Sequence, residues 1–222
     1  KAVTGEIVAR AGMEIEAVTP SMREEAAALL AEAFRTEEIT AYHVDMRLPS
    51  AMRRMAMLNG IFMRLYEEAG RPVMAAVMDG RIVGVCMVRD PRCPVPLRRA
   101  AAAVILNLYQ ILALLARRPH RTLRVLLAAR KPGGLPKPYF TCEALGVHPQ
   151  YQGKGVGKAL MREVQALAEQ NPVISGIYLN TGSEGNQAFY ERLGYRTMRV
   201  DDLGPVKIYH MFWRNPACGF SR

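Results

Sequence analysis

The sequence predicts a mixed α/β fold built on one sheet, and three observations carry that expectation. Seven runs with β-type patterning alternate with helical runs along the 222 residues. Two of those runs, Val73–Met78 and Arg81–Val88, flank Asp79-Gly80, a two-residue connection that favours a tight hairpin. A third run, Tyr139–Val147, passes through a glycine-rich turn straight into a helical pattern. The length suits a single domain over residues 1–222, with residues 91–138 inserted into it.

In chain order, Glu14 to Val18 reads as a short strand. Thr19-Pro20-Ser21 then opens a helix toward Phe34, because Pro20 suits a first turn and Ser21 and Glu24 stand at capping-box spacing. A second helix is expected from Pro49-Ser50 to Ala69, where Gly70 stops it. Its Met52, Met55, Leu58, Phe62 and Leu65 recur at helical spacing, which suits core packing or an adaptable pocket. After the hairpin, Pro91, Pro94 and Pro96 open the insertion and KPGGLPKP (131–138) closes it. Beyond the strand at 139–147 come a helix at Gly155–Asn171, a strand at Ile177–Asn180 and a helix at Asn186–Leu193. Strands at Tyr195–Val200 and Lys207–Arg214 end the order, and no internal repeat is present.

Half of the residues are hydrophobic, 23% are charged and 7% aromatic, which excludes a disordered or fibrous chain. Four cysteines without a C-x-x-C pair argue against a disulfide scaffold or zinc ribbon. His43, His120 and His210 form no ligand spacing, so no metal is expected. The chain opens at Lys1 with no signal-peptide pattern, and a cytoplasmic location is expected.

Lys and Arg number 30 against 20 Asp and Glu, and the excess is local. From Arg89 to Lys137 there are eleven basic residues and one acid, Asp90, which accounts for the whole net charge of +10. Only Tyr109 lies among these cations, so nucleic-acid binding is not expected. The same island holds Ala100–Ala116, 17 uncharged residues broken by Asn107 and Gln110 and flanked by paired arginines. That is short for a bilayer span, which wants ~20 apolar residues. Three readings stand: a helix capping a binding site, a helix lying on anionic lipid, and a dimerisation helix.

The chemistry concentrates between Leu145 and Lys158 (LGVHPQYQGKGVGK). Glycines at 153, 155 and 157 let backbone amides turn inward, and the following helix adds its positive dipole end, so a diphosphate can be gripped by main chain. A P-loop is excluded, because Lys154 precedes Gly155 and its first glycine would have to be His148. The dinucleotide fingerprint is excluded too, since its third glycine would fall on Lys158.

The spacing Gln152-x-x-Gly155-x-Gly157 resembles the acyl-CoA loop of the Gcn5-related N-acetyltransferase (GNAT) superfamily. A second block, NQAFYERLGY from Asn186 to Tyr195, is similar to that superfamily's asparagine and tyrosine helix and its turn into the sixth strand. Within the superfamily the sequence looks most like the puromycin-acetyltransferase branch, with a helical insertion before the fourth strand and Leu145-Gly146-Val147-x-Pro149 at that strand's end; Asn180 departs from the acid that branch can carry. The resemblance implies a mostly antiparallel seven-stranded sheet splayed between its fourth and fifth strands. It implies acetyl-CoA as co-substrate, its pantetheine beside Leu145, Gly146 and Val147. The pyrophosphate would lie on Gln152, Gly153, Lys154, Gly155, Val156, Gly157 and Lys158, with Asn186 and Tyr190 completing the site.

The implied reaction is direct attack of a neutral amine on the thioester. Tyr190 would be the acid that protonates the departing thiolate, against the alternative of a packed core tyrosine. Glu143 would be the base, against the alternative of an ion pair with one of the insertion's arginines. His148 reads as a turn residue. The expected acceptor is a primary amine of a small molecule; the alternatives are a protein amine, or a non-catalytic acyl-CoA-binding module at a membrane surface. Homodimerisation stays open.

Overall fold

The computed structural model describes residues 12–115 and 117–219. One seven-stranded sheet runs in the order β1-β2-β3-β4-β5-β7-β6. Its strands are β1 (Met13–Ala17), β2 (Val73–Met78), β3 (Arg81–Arg89), β4 (Phe140–Val147), β5 (Gly176–Thr181), β6 (Arg196–Asp202) and β7 (Lys207–Arg214). Every neighbouring pair is antiparallel except β4 and β5. The β2–β3 hairpin forms as expected: Asp79 and Gly80 both take positive φ, 50° and 72°, which matches the twist of the strands they join.

Helix α1 (Arg23–Ala33) starts later than Ser21, which does not cap it. The Met22 amide instead closes a turn onto the Thr19 carbonyl at 3.0 Å, and the Ser21 hydroxyl bonds Thr19 Oγ1 at 2.9 Å. A short helix, α2 (Glu38–His43), was not foreseen; Glu37 caps it by accepting the Thr40 amide at 2.8 Å. Helix α3 (Pro49–Glu68) ends where Gly70 was expected to stop it, with Arg71 N–H bonding the Tyr66 carbonyl across a left-handed glycine. Its apolar stripe divides between two partners. Met63 packs in the α1 core, Leu58 packs with Met52 and Met55 beside the insertion, and Phe62 stays exposed.

The apolar run at 100–116 is not one helix. It forms α4 (Leu97–Leu106) and α5 (Leu108–Leu115), bent by 63° at Asn107; Ala116 lies outside the described residues. The Asn107 side chain donates to the Ala103 carbonyl at 2.8 Å, competing with the helix ladder at the break. Among the described residues no single helix is long and apolar enough to cross a membrane. Helix α6 (Pro119–Ala128) completes the insertion.

Helix α7 (Val156–Glu169) covers one sheet face, while α1 and α3 cover the other. Two glycines make both approaches possible. A Cβ on Gly84 would lie 2.6 Å from Val156 Cγ1, and one on Gly146 would lie 2.6 Å from Leu30 Cδ2. Helix α8 (Glu184–Glu191) is capped by Ser183, which accepts the Asn186 amide at 3.1 Å.

A buried polar cluster fastens the insertion to the sheet. His210 of β7 accepts from the Tyr178 hydroxyl at Nδ1 (2.7 Å) and points Nε2–H at Asp201 Oδ2 (2.8 Å) and the Ala128 carbonyl (3.0 Å). Burial and the Arg199 charge hold its pKa below the usual histidine value, so it is neutral at pH 7. The unfolded chain therefore binds the proton more readily. Stability contributed by neutral His210 is complete above ~6.5 and is lost as pH falls below it. Urea midpoints should drop between pH 7 and pH 5, and the drop should flatten in His210→Gln.

Candidate active site

Strands β4 and β5 share two rungs, Phe140 with Ile177 and Thr141 with Tyr178, and then separate. From Cys142 to Val147 the β5-facing edge of β4 has no strand neighbour among the described residues. The other edge of β4 is irregular at one point. Met87 opposes Ala144 and Val88 opposes Cys142, so Glu143 is an extra residue with no partner on β3. The strand thus presents free main chain on its open side and a bulge at the same depth.

At the end of β4, Pro149–Tyr151 forms a 3-10 turn, with His148 Nδ1 accepting the Gln150 amide at 3.3 Å. His148 is the turn residue it was expected to be. The glycine-rich segment then reverses: Gly153 and Gly155 have φ of 76° and 87°, and Gly155 begins α7 without a side-chain cap. The first backbone bond of that helix runs from Ala159 N–H to the Gly155 carbonyl, which leaves the amides of Val156, Gly157 and Lys158 without intrahelical acceptors. Apart from the adjoining residues of the chain, no atom of the described residues lies within 4 Å of a Cβ built on Gly153 or Gly155. Open amides, an unoccluded approach and the helix dipole together form a cradle of the kind that can receive an anion. Gln152 donates its side-chain amide to the Val147 carbonyl at 3.3 Å, tying the loop to the strand.

Helix α8 stands against this cradle. A Cβ on Gly157 would meet Phe189 and Val147 Cγ2, both at 3.5 Å, and Leu145 Cδ2 at 3.9 Å, which is ordinary van der Waals contact, and Gly157 is not left-handed, so neither space nor backbone conformation demands glycine there. Asn186 is exposed one turn before Tyr190, which is buried against Phe189 and Tyr195 with ring centroids 5.0 and 5.6 Å away. The Tyr190 hydroxyl has no hydrogen-bond partner among the described residues. Burial pushes its pKa well up, with Cys142 and Cys86 adding to the effect, so it stays protonated. Cys86 and Cys142 lie Sγ to Sγ at 3.8 Å in the same core.

Glu143 is ion-paired with Arg89. The carboxylate is therefore paired, as in the alternative to a free base, but its partner belongs to β3 and not to the insertion. Beside this pair lies a residue that sequence reading counted only as one more cation. Lys131 Nζ donates to Thr141 Oγ1 at 2.6 Å, at the last rung before the strands part, and sits 5.1 and 5.0 Å from the ring centroids of Tyr139 and Tyr178. Burial, reinforced by Arg89, lowers its pKa to about 8. Burial also raises Tyr178 to about 12. Two cations therefore face one carboxylate where the strands part. No group of three or more His, Cys, Asp or Glu able to hold a metal exists among the described residues.

A family model described as an acetyltransferase (GNAT) domain matches residues 124–197, which span the loop, β4, β5 and α8. No curated protein matches the chain. Among solved structures, that of histone acetyltransferase HPA2 and related acetyltransferase from Corynebacterium glutamicum superposes with a TM-score of 0.59 at 17% identity, covering 89% of this chain and 93% of that one. The yncA protein of Salmonella typhimurium, solved with its cofactor acetyl-CoA, gives 0.54 at 14% identity over 92% and 94%. The C-terminal condensation domain of Ebony, in complex with beta-alanyl-dopamine, gives 0.59 at 15% over 91% and 98%. The fold, with its seven strands and parallel β4–β5 junction, is the one these proteins share.

Proposed function

We propose, from the premise that this chain is an acyltransferase carrying a GNAT acetyltransferase domain, that it moves the acetyl group of acetyl-CoA to a primary amine of a small molecule. The observation that carries the reading is the parting of β4 from β5 directly above a glycine cradle with open amides. Acetyl-CoA supplies the acyl group as an activated thioester. The amides from Gln152 to Lys158 hold its phosphates, and the free edge at Leu145–Val147 receives the pantetheine amides as an added strand would. Asn186 flanks the channel from α8, and Tyr190 holds a proton for the departing sulfur.

The incoming amine must lose a proton, and Glu143 is placed to take it at the bulge. Its pair with Arg89 favours a second reading, in which Lys131, neutral above about 8, is the acceptor of that proton. The pH–rate profile separates the two. Glu143→Gln should lower turnover at least ~100-fold, within the usual range for a general base. A limb near 8 that only Lys131→Met moves would transfer the role to Lys131.

The whole chain is read as one cytoplasmic domain of the puromycin-acetyltransferase-like branch, with the insertion walling the acceptor side. The anchoring of α6 through His210 supports that wall. Its closure favours a small acceptor over a protein segment, and the paired cations Arg89 and Lys131 favour one bearing an acidic group. Release of CoA thiol over a panel of nucleoside amines, aminoglycosides, polyamines and peptides tests the reading. Turnover with peptides alone would replace the small molecule by a protein amine.

A further inference from the structure

The outer face of the insertion is apolar and bordered by cations, and acyl transfer makes no use of it. Leu97, Leu106 and Tyr109 are 84%, 82% and 71% exposed, and Ile105, Leu108 and Leu112 are exposed beside them. Helix α4 buries no residue and α5 buries only Leu114. An apolar surface gathered in this way marks an interaction site. Residues 91–138 carry ten Lys and Arg and no Asp or Glu, with Arg98 in the first turn of α4 and Arg117 just beyond α5. The face is held as part of the fold: Arg99 pairs with Glu68 of α3 at 2.8 Å, and Arg54 of α3 lies 5.3 Å from the centre of the Tyr109 ring.

We propose that α4 and α5 dock this protein on an anionic bilayer surface, lying in the interface with Leu106 and Tyr109 toward the acyl chains and the arginines at phosphate level. Charge selects this occupant. A second copy seated across a two-fold axis would set the same cations against each other, whereas lipid phosphates neutralise them. Geometry selects the mode. The longer of the two helices has 10 residues, about 15 Å, half of a ~30 Å hydrocarbon core, and the 63° bend denies them a common axis.

The test is co-sedimentation of the full chain with vesicles of phosphatidylcholine alone or mixed with phosphatidylglycerol. Binding should be at least ~10-fold stronger to the mixed vesicles and should weaken with added salt. Arg98→Gln with Arg117→Gln should weaken it about 30-fold, taking roughly fivefold per charge near the surface. Leu106→Glu with Tyr109→Glu should abolish it. Thermal protection by acetyl-CoA should persist in every variant, which keeps this inference separate from the acyl-transfer reading. No preference for anionic vesicles, or binding untouched by both double variants, would overturn it. So would a dimer in light scattering that Leu106→Glu dissolves, because the face would then belong to a second copy.

Discussion

Gly155→Val should abolish acetyl-CoA binding, with affinity falling at least ~100-fold, while the chain remains folded. Gly155 has φ of 87° where the strand-loop reverses into α7. An L-residue pays ~1–2 kcal/mol in the left-handed region, and a β-branched one pays more. Set against a typical 5–15 kcal/mol of stability, that strain alone does not unfold a domain. The binding loss has a different origin. Apart from the adjoining residues of the chain, no atom of the described residues lies within 4 Å of a Cβ at this position, so the valine side chain enters the open space that the proposed phosphate contacts need. Isothermal titration with acetyl-CoA, beside a melting curve of the free protein, reads the two effects apart. Gly155→Ala should fall between wild type and valine, since it adds the strain and less bulk. Undiminished binding in the valine variant would remove the loop from the site, and the transferase reading would fall with it.

What was legible in the sequence was local. Asp79-Gly80 dictates its hairpin because two adjacent positive φ values suffice to join twisted strands, and both residues tolerate them. The glycine-rich turn was legible for the same reason: strand, glycines and helix follow one another from Leu145 to Lys158. Helix α2 escaped because six residues are too few to display a period, and its cap, Glu37, is not among the strongest capping residues. The bend at Asn107 escaped because an apolar run carries no phase, so periodicity cannot separate one helix from two joined at an angle.

The electrostatics of the site were least legible, because they depend on which distant strands meet. Arg89 reaches Glu143 only because β3 pairs with β4, placing Arg89 opposite Thr141. Lys131 reaches the same Thr141 from the end of the insertion. In sequence it is one of eleven cations in a block, and only packing against Tyr139 and Tyr178 sets it apart. His210 likewise looks isolated until β5, β6 and β7 bring Tyr178, Asp201 and Arg199 around it.

Tyr190→Phe should cut turnover ~100-fold or more and leave acetyl-CoA affinity within about twofold, as expected for a proton donor that acts at the departing sulfur. The substitution is clean on structural grounds. The hydroxyl has no hydrogen-bond partner among the described residues, and the ring contacts with Phe189 and Tyr195 survive its loss. Deleting a hydroxyl that bonds none of the described residues leaves no orphaned partner among them, so the melting temperature should hold. A tyrosine that merely fills the core would behave differently, because phenylalanine fills the same volume and turnover would not change. The raised pKa sharpens the comparison. Burial keeps the phenol protonated throughout the neutral range, so the wild-type rate should show no basic limb from Tyr190 below pH ~10. Rapid mixing under single-turnover conditions should place the defect in the acyl-transfer step itself. If the Phe variant turns over at the wild-type rate, Tyr190 is a packing residue and the thiolate leaves without its help.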